Sequence, residues 1–325
     1  MDSLSLIKRP IEREFAVFVE RFNSAITADD GLLGSALTHI RQRGGKRMRP
    51  LLTLLVAKNF GEVNDVTQNA AIGLELLHTA SLVHDDVVDE SSERRGQASL
   101  NASFNNKVAV LVGDYILSTA LLHVSQTGNR RIVENLSELG RTLAAGEILQ
   151  LSNVKNPDFS EQVYYDVINR KTASLFESCA VLGCLSVGAS DEQIEQARGF
   201  GQTLGMMFQI RDDIFDYYDS REIGKPTGND MTEGKLTLPV LYALRTAPFE
   251  SMITLAKKVK AGTINTDEIA VLVEYTKQQG GIEYAEQRMQ DFYDKSMVFI
   301  DETVKKVEIR DALVTYLDYV MKRHY

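Results

Sequence analysis

The chain of 325 residues has only two cysteines, Cys179 and Cys184. That excludes a disulfide scaffold and fits a reducing compartment. The pair stands five residues apart in an apolar stretch, without metal-ligand spacing, and reads as two buried thiols. A basic excess is missing as well. Lys and Arg number 36 against 45 Asp and Glu, a net charge of −9, opposite in sign to a general nucleic-acid binder. Residues 1–9 lack the apolar core of a signal peptide. No apolar run reaches the ~20 residues of a membrane span; the best, 108–122, is too short and holds Asp114. A cytoplasmic protein is the expectation.

Proline and glycine are scarce, 6 and 22 of 325, below the average combined share of about 12%. No proline falls between Pro50 and Pro157, so long uninterrupted helices can form. Strand signals are absent, for no Asn-Gly or Asp-Gly turn joins alternating apolar runs. What is present is a core: 44% of residues are hydrophobic and 25% charged, far from a disordered composition. Apolar residues recur at spacings of three and four, as in Leu51, Leu54, Leu55 and in Val163, Val167, Ile168. The pattern predicts an all-α protein with helices over roughly 3–23, 31–43, 47–59, 65–90, 103–125, 129–152, 160–188 and 191–219, and five more to about 323. Ser160 and Thr266 stand where caps or breaks belong. The longest polar loop is 220–234. Length alone would allow about two domains, yet no linker or low-complexity segment divides the chain.

One short pattern occurs twice: Asp85-Asp86-Val87-Val88-Asp89 and Asp212-Asp213-Ile214-Phe215-Asp216, both D-D-x-x-D. At about 100° per residue, the first and third aspartates of each copy share a helix face. His78 falls on the first copy's face two turns back, and Gln209 lies one turn before Asp213. Gly205 leaves room on the second copy's face. Each copy closes an apolar helix, where carboxylates repel one another, lose hydration and oppose the helix dipole. One copy alone reads as a solvated helix end. Two copies predict a shared divalent-metal site, and rigid oxygen ligands suit Mg²⁺, which bridges carboxylates to phosphates.

Basic clusters accompany the acids. Gly44-Gly45-Lys46-Arg47-Met48-Arg49-Pro50 opens a helix, a glycine-rich cationic start suited to anions. Arg94-Arg95-Gly96 follows the first aspartates, and Arg offers bidentate donors to phosphate oxygens. Lys171-Thr172 sits among apolar residues, and Lys225 and Lys235 frame the second acidic loop. Such a set would bind magnesium-diphosphate twice.

In this order, with Gly113-Asp114, Gly146-Glu147-Ile148-Leu149-Gln150, Phe208 to Asp213, Gly224-Lys225-Pro226 and Gly234-Lys235-Leu236-Thr237-Leu238-Pro239, the motifs resemble the trans-isoprenyl diphosphate synthases. The stretch from His78 to His84 is most similar to the bacterial octaprenyl diphosphate synthases. The resemblance implies one all-α isoprenoid synthase domain over 1–325, with helices around a deep central cavity, as a homodimer. It implies Mg²⁺-dependent head-to-tail condensation of isopentenyl diphosphate onto an allylic diphosphate, with about three ions in place once diphosphate is bound. By motif, Lys46, Arg49, His78 and Arg95 would hold isopentenyl diphosphate. Asp85, Asp89 and Asp212 would bind Mg²⁺, with Asp86, Asp213 and Asp216 in support. Arg94, Lys171, Thr172, Gln209, Lys225 and Lys235 would contact the allylic diphosphate, with Lys171 also counted as catalytic.

Charge neutralisation makes diphosphate a leaving group, so no strong side-chain base is required. Small residues at Ala80 and Ser81, one turn before Asp85, leave room for a long tail and favour an octaprenyl-length product from farnesyl diphosphate. That product would serve as a quinone side chain and pass to membrane enzymes. The competing readings are a farnesyl or geranylgeranyl synthase, a terpene cyclase, and a noncatalytic subunit of a heteromeric synthase. Bulk at Ala80 and Ser81 would be expected of the first, a different second metal motif of the second, and eroded aspartate motifs of the third.

Overall fold

The computed structural model describes residues 2–29, 31–42, 44–94, 96–154, 159–218 and 227–322, with Val154 described in its backbone alone. These residues are almost wholly helical. The elements run α1 (Ser3–Lys8), α2 (Glu12–Ala25), α3 (Leu32–Gln42), α4 (Met48–Phe60), α5 (Asp65–Val88), α6 (Leu100–Ser103), α7 (Asn106–Ser125), α8 (Arg130–Val154) and α9 (Glu161–Ile168). After a π-helical turn at Asn169–Ala173 come α10 (Ser174–Ser186), α11 (Asp191–Phe215), α12 (Asn229–Thr232), α13 (Leu238–Thr246), α14 (Glu250–Lys260), α15 (Thr266–Gln278), α16 (Gly281–Thr303) and α17 (Val307–Lys322).

The all-α expectation holds, with local departures. Pro10 breaks the helix expected over 3–23: a 3₁₀ turn, Arg9–Ile11, separates α1 from α2, because the ring removes a backbone N–H and crowds the preceding turn. A two-stranded hairpin, β1 (Glu93–Arg94) and β2 (Gln97–Ala98), follows α5 where no strand was expected. Its turn includes Gly96 at φ +72°, a conformation glycine adopts without steric cost. The helix expected over 160–188 is interrupted by the π turn. Ser160 caps α9 as read from the sequence. The cap of α15 is Asn265 rather than Thr266; it forms a capping box with Glu268. One helix among the described residues is long and apolar enough to cross a membrane by length and composition alone, although it contains Lys107 and Asp114. That helix, α7, has 20 residues and a mean hydropathy of 1.6, and 33% of that stretch is buried.

The chain divides into two compact units. The first contains Met1–Gly140, Leu175–Gly201 and Phe299–Tyr316. Its α4 is buried from Pro50 to Ala57, with Leu51, Leu52, Leu54 and Leu55 fully buried, as expected of a helix enclosed by others. α5 lies along α7 at close range. A Cβ at Gly73 would come 2.5 Å from Val124, and one at Gly113 would come 2.2 Å from the His84 ring. Both glycines are required for that approach. On α10, Cys179 and Cys184 are free and buried; burial pushes both thiols up to about 12, far from a reactive thiolate.

The second unit contains Arg141–Ser174, Gln202–Val298 and Leu317–Tyr325. There α13 packs on α15, and the buried Tyr275 hydroxyl donates to Ala243 O at 2.8 Å. Tyr242 stacks on Tyr284 at 4.1 Å.

Candidate active site

In the first unit, α4 begins immediately after the glycine-rich turn. Gly44 has φ +39° and Arg47 φ +50°. Arg47 is the left-handed residue before Met48 starts the helix. Arg49, in the first turn, lies over the Phe176 ring at 5.2 Å, and its Nε has no hydrogen-bond partner. Tyr316 donates its hydroxyl to Met48 O at 3.0 Å and so fixes the start of α4. Lys46 is exposed, Arg49 half-buried and His78 buried. Lys46 and Arg49 flank the N-terminus of α4, whereas His78 lies within α5.

The end of α5 carries the first aspartates. Asp85 is half-buried, Asp86 is 1% exposed, and Asp89, the C-cap, is exposed. Arg94 from β1 donates Nε to Asp86 Oδ1 at 2.6 Å. The Asp86 carbonyl accepts from the Ser91 N–H at 3.0 Å and from Asn101 Nδ2 at 3.1 Å. Asp86 is therefore tied into the protein, and Arg94, read as an allylic-diphosphate contact, spends a donor on it. The hairpin carries that arginine back to the helix end. His84, without a role in the sequence reading, contacts Asp114 of α7 at 3.4 Å. Arg95 lies outside the described residues. Ala80 is buried, and Ser81 is half-buried with its hydroxyl donating to His78 O at 2.9 Å.

In the second unit, the second aspartates close α11 in the same pattern. Asp212 is half-buried, while Asp213 is buried, 4% exposed. Asp213 accepts from the Tyr164 hydroxyl on Oδ2 at 2.6 Å and from Gln209 Nε2 on Oδ1 at 2.8 Å. Gln209 Oε1 accepts in turn from the Thr172 hydroxyl at 2.6 Å. Asp216 accepts two backbone N–H groups, Asn229 on Oδ1 at 2.9 Å and Asp230 on Oδ2 at 3.1 Å. Burial, reinforced by the Asp230 charge, holds Asp213 well above the usual carboxylate range and pushes Asp216 up to about 7. Tyr164, fully buried beside Asp213, is likewise driven upward.

Lys171 and Thr172 stand on the π turn, a feature often found at functional sites. A Cβ at Gly146 would come 2.9 Å from Arg170 and 3.2 Å from Lys171 N, so α8 reaches this turn only with glycine there. Lys171 pairs with Glu147 at 2.5 Å and donates to Gln150 Oε1 at 3.4 Å. The space read at Gly205 is filled by backbone, since a Cβ there would meet Ala173 Cα at 2.5 Å. Around these groups lies a cavity of about 150 Å³ lined by Lys171, Thr172, Gln209, Asp213 and Lys235, together with Asp230 and Lys260. Lys235 also pairs with Glu233. Lys225 lies outside the described residues.

The sequence reading passed over Tyr164, Glu147 and Asp230. Glu147 lies in the Gly146-Glu147-Ile148-Leu149-Gln150 motif. Tyr164 and Asp230 are single residues whose burial alone marks them. Among the described residues, no three acidic, His or Cys groups converge closely enough to hold an ion by themselves. Oxygen-only donors, with one or two carboxylates completed by water and phosphate oxygens, still fit Mg²⁺.

Comparison with known proteins agrees with these features. Residues 30–276 match the polyprenyl synthetase family model. The chain is 35% identical to octaprenyl diphosphate synthase of Escherichia coli, over 95% of this chain and 94% of that protein. Among solved structures it resembles a geranylgeranyl pyrophosphate synthase from Bacteroides thetaiotaomicron, 51% identical with a TM-score of 0.88, covering 99% of this chain and 100% of that one. It also resembles a decaprenyl diphosphate synthase from Rhodobacter capsulatus, 32% identical with a TM-score of 0.91, covering 98% of each. The chain belongs to the polyprenyl synthetase family, as a prenyltransferase of the all-trans polyprenyl diphosphate synthase type.

Proposed function

We propose that this chain is a single-domain, cytoplasmic all-trans polyprenyl diphosphate synthase that adds isopentenyl diphosphate units to an allylic primer, farnesyl diphosphate. One observation carries the reading: in both motifs the second aspartate is pinned by protein donors, Asp86 by Arg94 and Asp213 by Tyr164 and Gln209, while Asp85 and Asp212 are half-buried at the helix ends. Asp85, Asp89 and Asp212 are the carboxylates for Mg²⁺, three ions when diphosphate is bound. Asp86, Asp213 and Asp216 hold the helix ends in place. When bound, Mg²⁺ neutralises the departing diphosphate. Lys171, Lys225, Lys235, Arg94, Thr172 and Gln209 bind the allylic diphosphate and stabilise its growing charge. Lys46, Arg49, His78 and Arg95 orient isopentenyl diphosphate so that its double bond meets the allylic carbon. The proton lost from the condensed chain leaves on the departing diphosphate.

The product is of octaprenyl length, for a quinone side chain, and passes to membrane enzymes. Ala80 and Ser81 support it, since neither puts bulk one turn before Asp85. The second reading, a geranylgeranyl-length product, is favoured by the 51% identity to the Bacteroides protein. Radiolabelled isopentenyl diphosphate, farnesyl diphosphate and Mg²⁺, with the product resolved by chromatography, test both. Incorporation into a chain longer than twenty carbons supports the first reading, a twenty-carbon stop supports the second, and no incorporation removes both. Ser81→Phe, alone and with Ala80→Phe, is expected to shorten the product; unchanged length removes these positions from chain-length control. The single variant matters because Ala80 is buried and a phenylalanine there adds overpacking.

Magnesium should announce itself through pH. Asp216 is pushed up to about 7, so the folded state prefers it protonated. Its stabilising contribution is complete below about pH 4 and is lost as pH rises through about 7. A cation held by Asp212, one turn before Asp216 on the same helix face, offsets that loss only once Asp216 is ionised. Added Mg²⁺ is therefore expected to raise the melting temperature more at pH 8 than at pH 6. Equal shifts would count against a metal at these carboxylates.

We propose a homodimer formed through α7, whose outer face carries exposed Leu111, Tyr115 and Leu122. Apolar exposure of this kind marks interaction surfaces. Light scattering should give twice the chain mass, and Leu111→Lys with Leu122→Lys should give the monomer.

A further inference from the structure

Arg47 stands between two residues assigned to isopentenyl diphosphate, Lys46 and Arg49, and its backbone is unusual. Its φ of +50° and ψ of 44° are left-handed, a region most side chains avoid and glycine enters freely. Gly44 and Gly45 are close by in sequence, yet the left-handed residue that starts α4 is an arginine. A non-glycine residue persists there only where its surroundings over-determine it.

The surroundings are specific. The Arg47 guanidinium lies over the Phe22 ring at 4.8 Å, and Nη2 donates to Asn23 Oδ1 at 3.1 Å. Both partners come from α2, and Phe22 is itself buried and stacked on Phe18 at 5.7 Å. The Glu75 carboxylate of α5 favours the charged guanidinium against the cost of burial. Arg47 is thus held from the side by a helix that supplies none of the proposed substrate ligands.

We propose that Arg47 is a positioning residue for the isopentenyl diphosphate site, anchoring the turn on α2 so that Lys46 and Arg49 face one anion. The inference rests on the synthase reading above. The physical consequence is definite. If residue 47 relaxed to a right-handed conformation, α4 would extend backwards by one residue. Each helical residue turns the chain about 100°, so Lys46 would swing away while Arg49 stayed on Phe176.

The test is calorimetric titration of isopentenyl diphosphate into the full-length protein, with KM values for both substrates alongside. Arg47→Ala is expected to weaken isopentenyl diphosphate binding about tenfold or more, with the allylic KM within about twofold of wild type. Arg47→Gly should fall between Ala and wild type, since glycine keeps the left-handed conformation without the anchor. Asn23→Ala should weaken the same ligand while touching no substrate. Equal losses for Gly and Ala would make Arg47 a direct ligand and overturn positioning. So would a parallel rise of both KM values, or no change at all. Wild type that binds the ligand but incorporates none removes the synthase reading alone and leaves the binding comparison standing. Wild type that does not bind it removes both.

Discussion

Asp212→Ala is expected to lower kcat by about three orders of magnitude, about 4 kcal/mol of transition-state stabilisation, while the protein stays folded. The expectation follows from the division of labour at the end of α11. Asp213 is buried and holds Tyr164 and Gln209, and Asp216 holds the N–H groups of Asn229 and Asp230. Asp212 is half-buried in the same turn and serves in neither of those two bonding sets. Removing its carboxylate takes away the proposed cation ligand and leaves the Thr172–Gln209–Asp213–Tyr164 chain intact. Single-turnover rates at saturating Mg²⁺, compared with melting curves, separate chemistry from folding. A rate within about tenfold of wild type would show that Asp212 is no metal ligand.

The second large effect belongs to stability. Arg94→Ala leaves the Asp86 carboxylate, 1% exposed, without its 2.6 Å partner. Breaking a buried pair from one side costs about 3–5 kcal/mol, because an uncompensated charge stays behind. Arg94 is 29% exposed in its side chain, and water reaches part of the pair, so about 3 kcal/mol is expected. Adding Asp86→Asn removes the stranded charge and should recover a good part of that loss. Chemical denaturation of the two variants measures both steps. If the double variant is no more stable than Arg94→Ala, the ion pair is not the reason for the loss.

Helix content, the two acidic helix ends and the cationic start of α4 were readable from residue order. Apolar spacing is a local property, and a helix converts spacing directly into a face. The same rule placed Asp85 with Asp89 and Asp212 with Asp216. The misses share a cause. The hairpin of Glu93–Arg94 with Gln97–Ala98 is too short for a periodicity, and its Arg94 reaches a carboxylate buried at the end of another element. The π turn at Asn169–Ala173 has no composition of its own, and Gly146 and Gly205 supply the room for it. Gly205 reads as a vacancy when only its own helix is considered. The backbone that fills it, Ala173, lies far off in sequence.

Sequence by itself determined the fold class, the family and the list of groups proposed to meet a diphosphate, because those depend on which residues stand at helical spacing in which order. Tertiary structure decided what each group is doing within that list. Six aspartates are alike as letters. Only folding makes Asp86 and Asp213 struts by burying them against Arg94, Tyr164 and Gln209, because the cost of hiding a carboxylate from water depends on donors from distant segments.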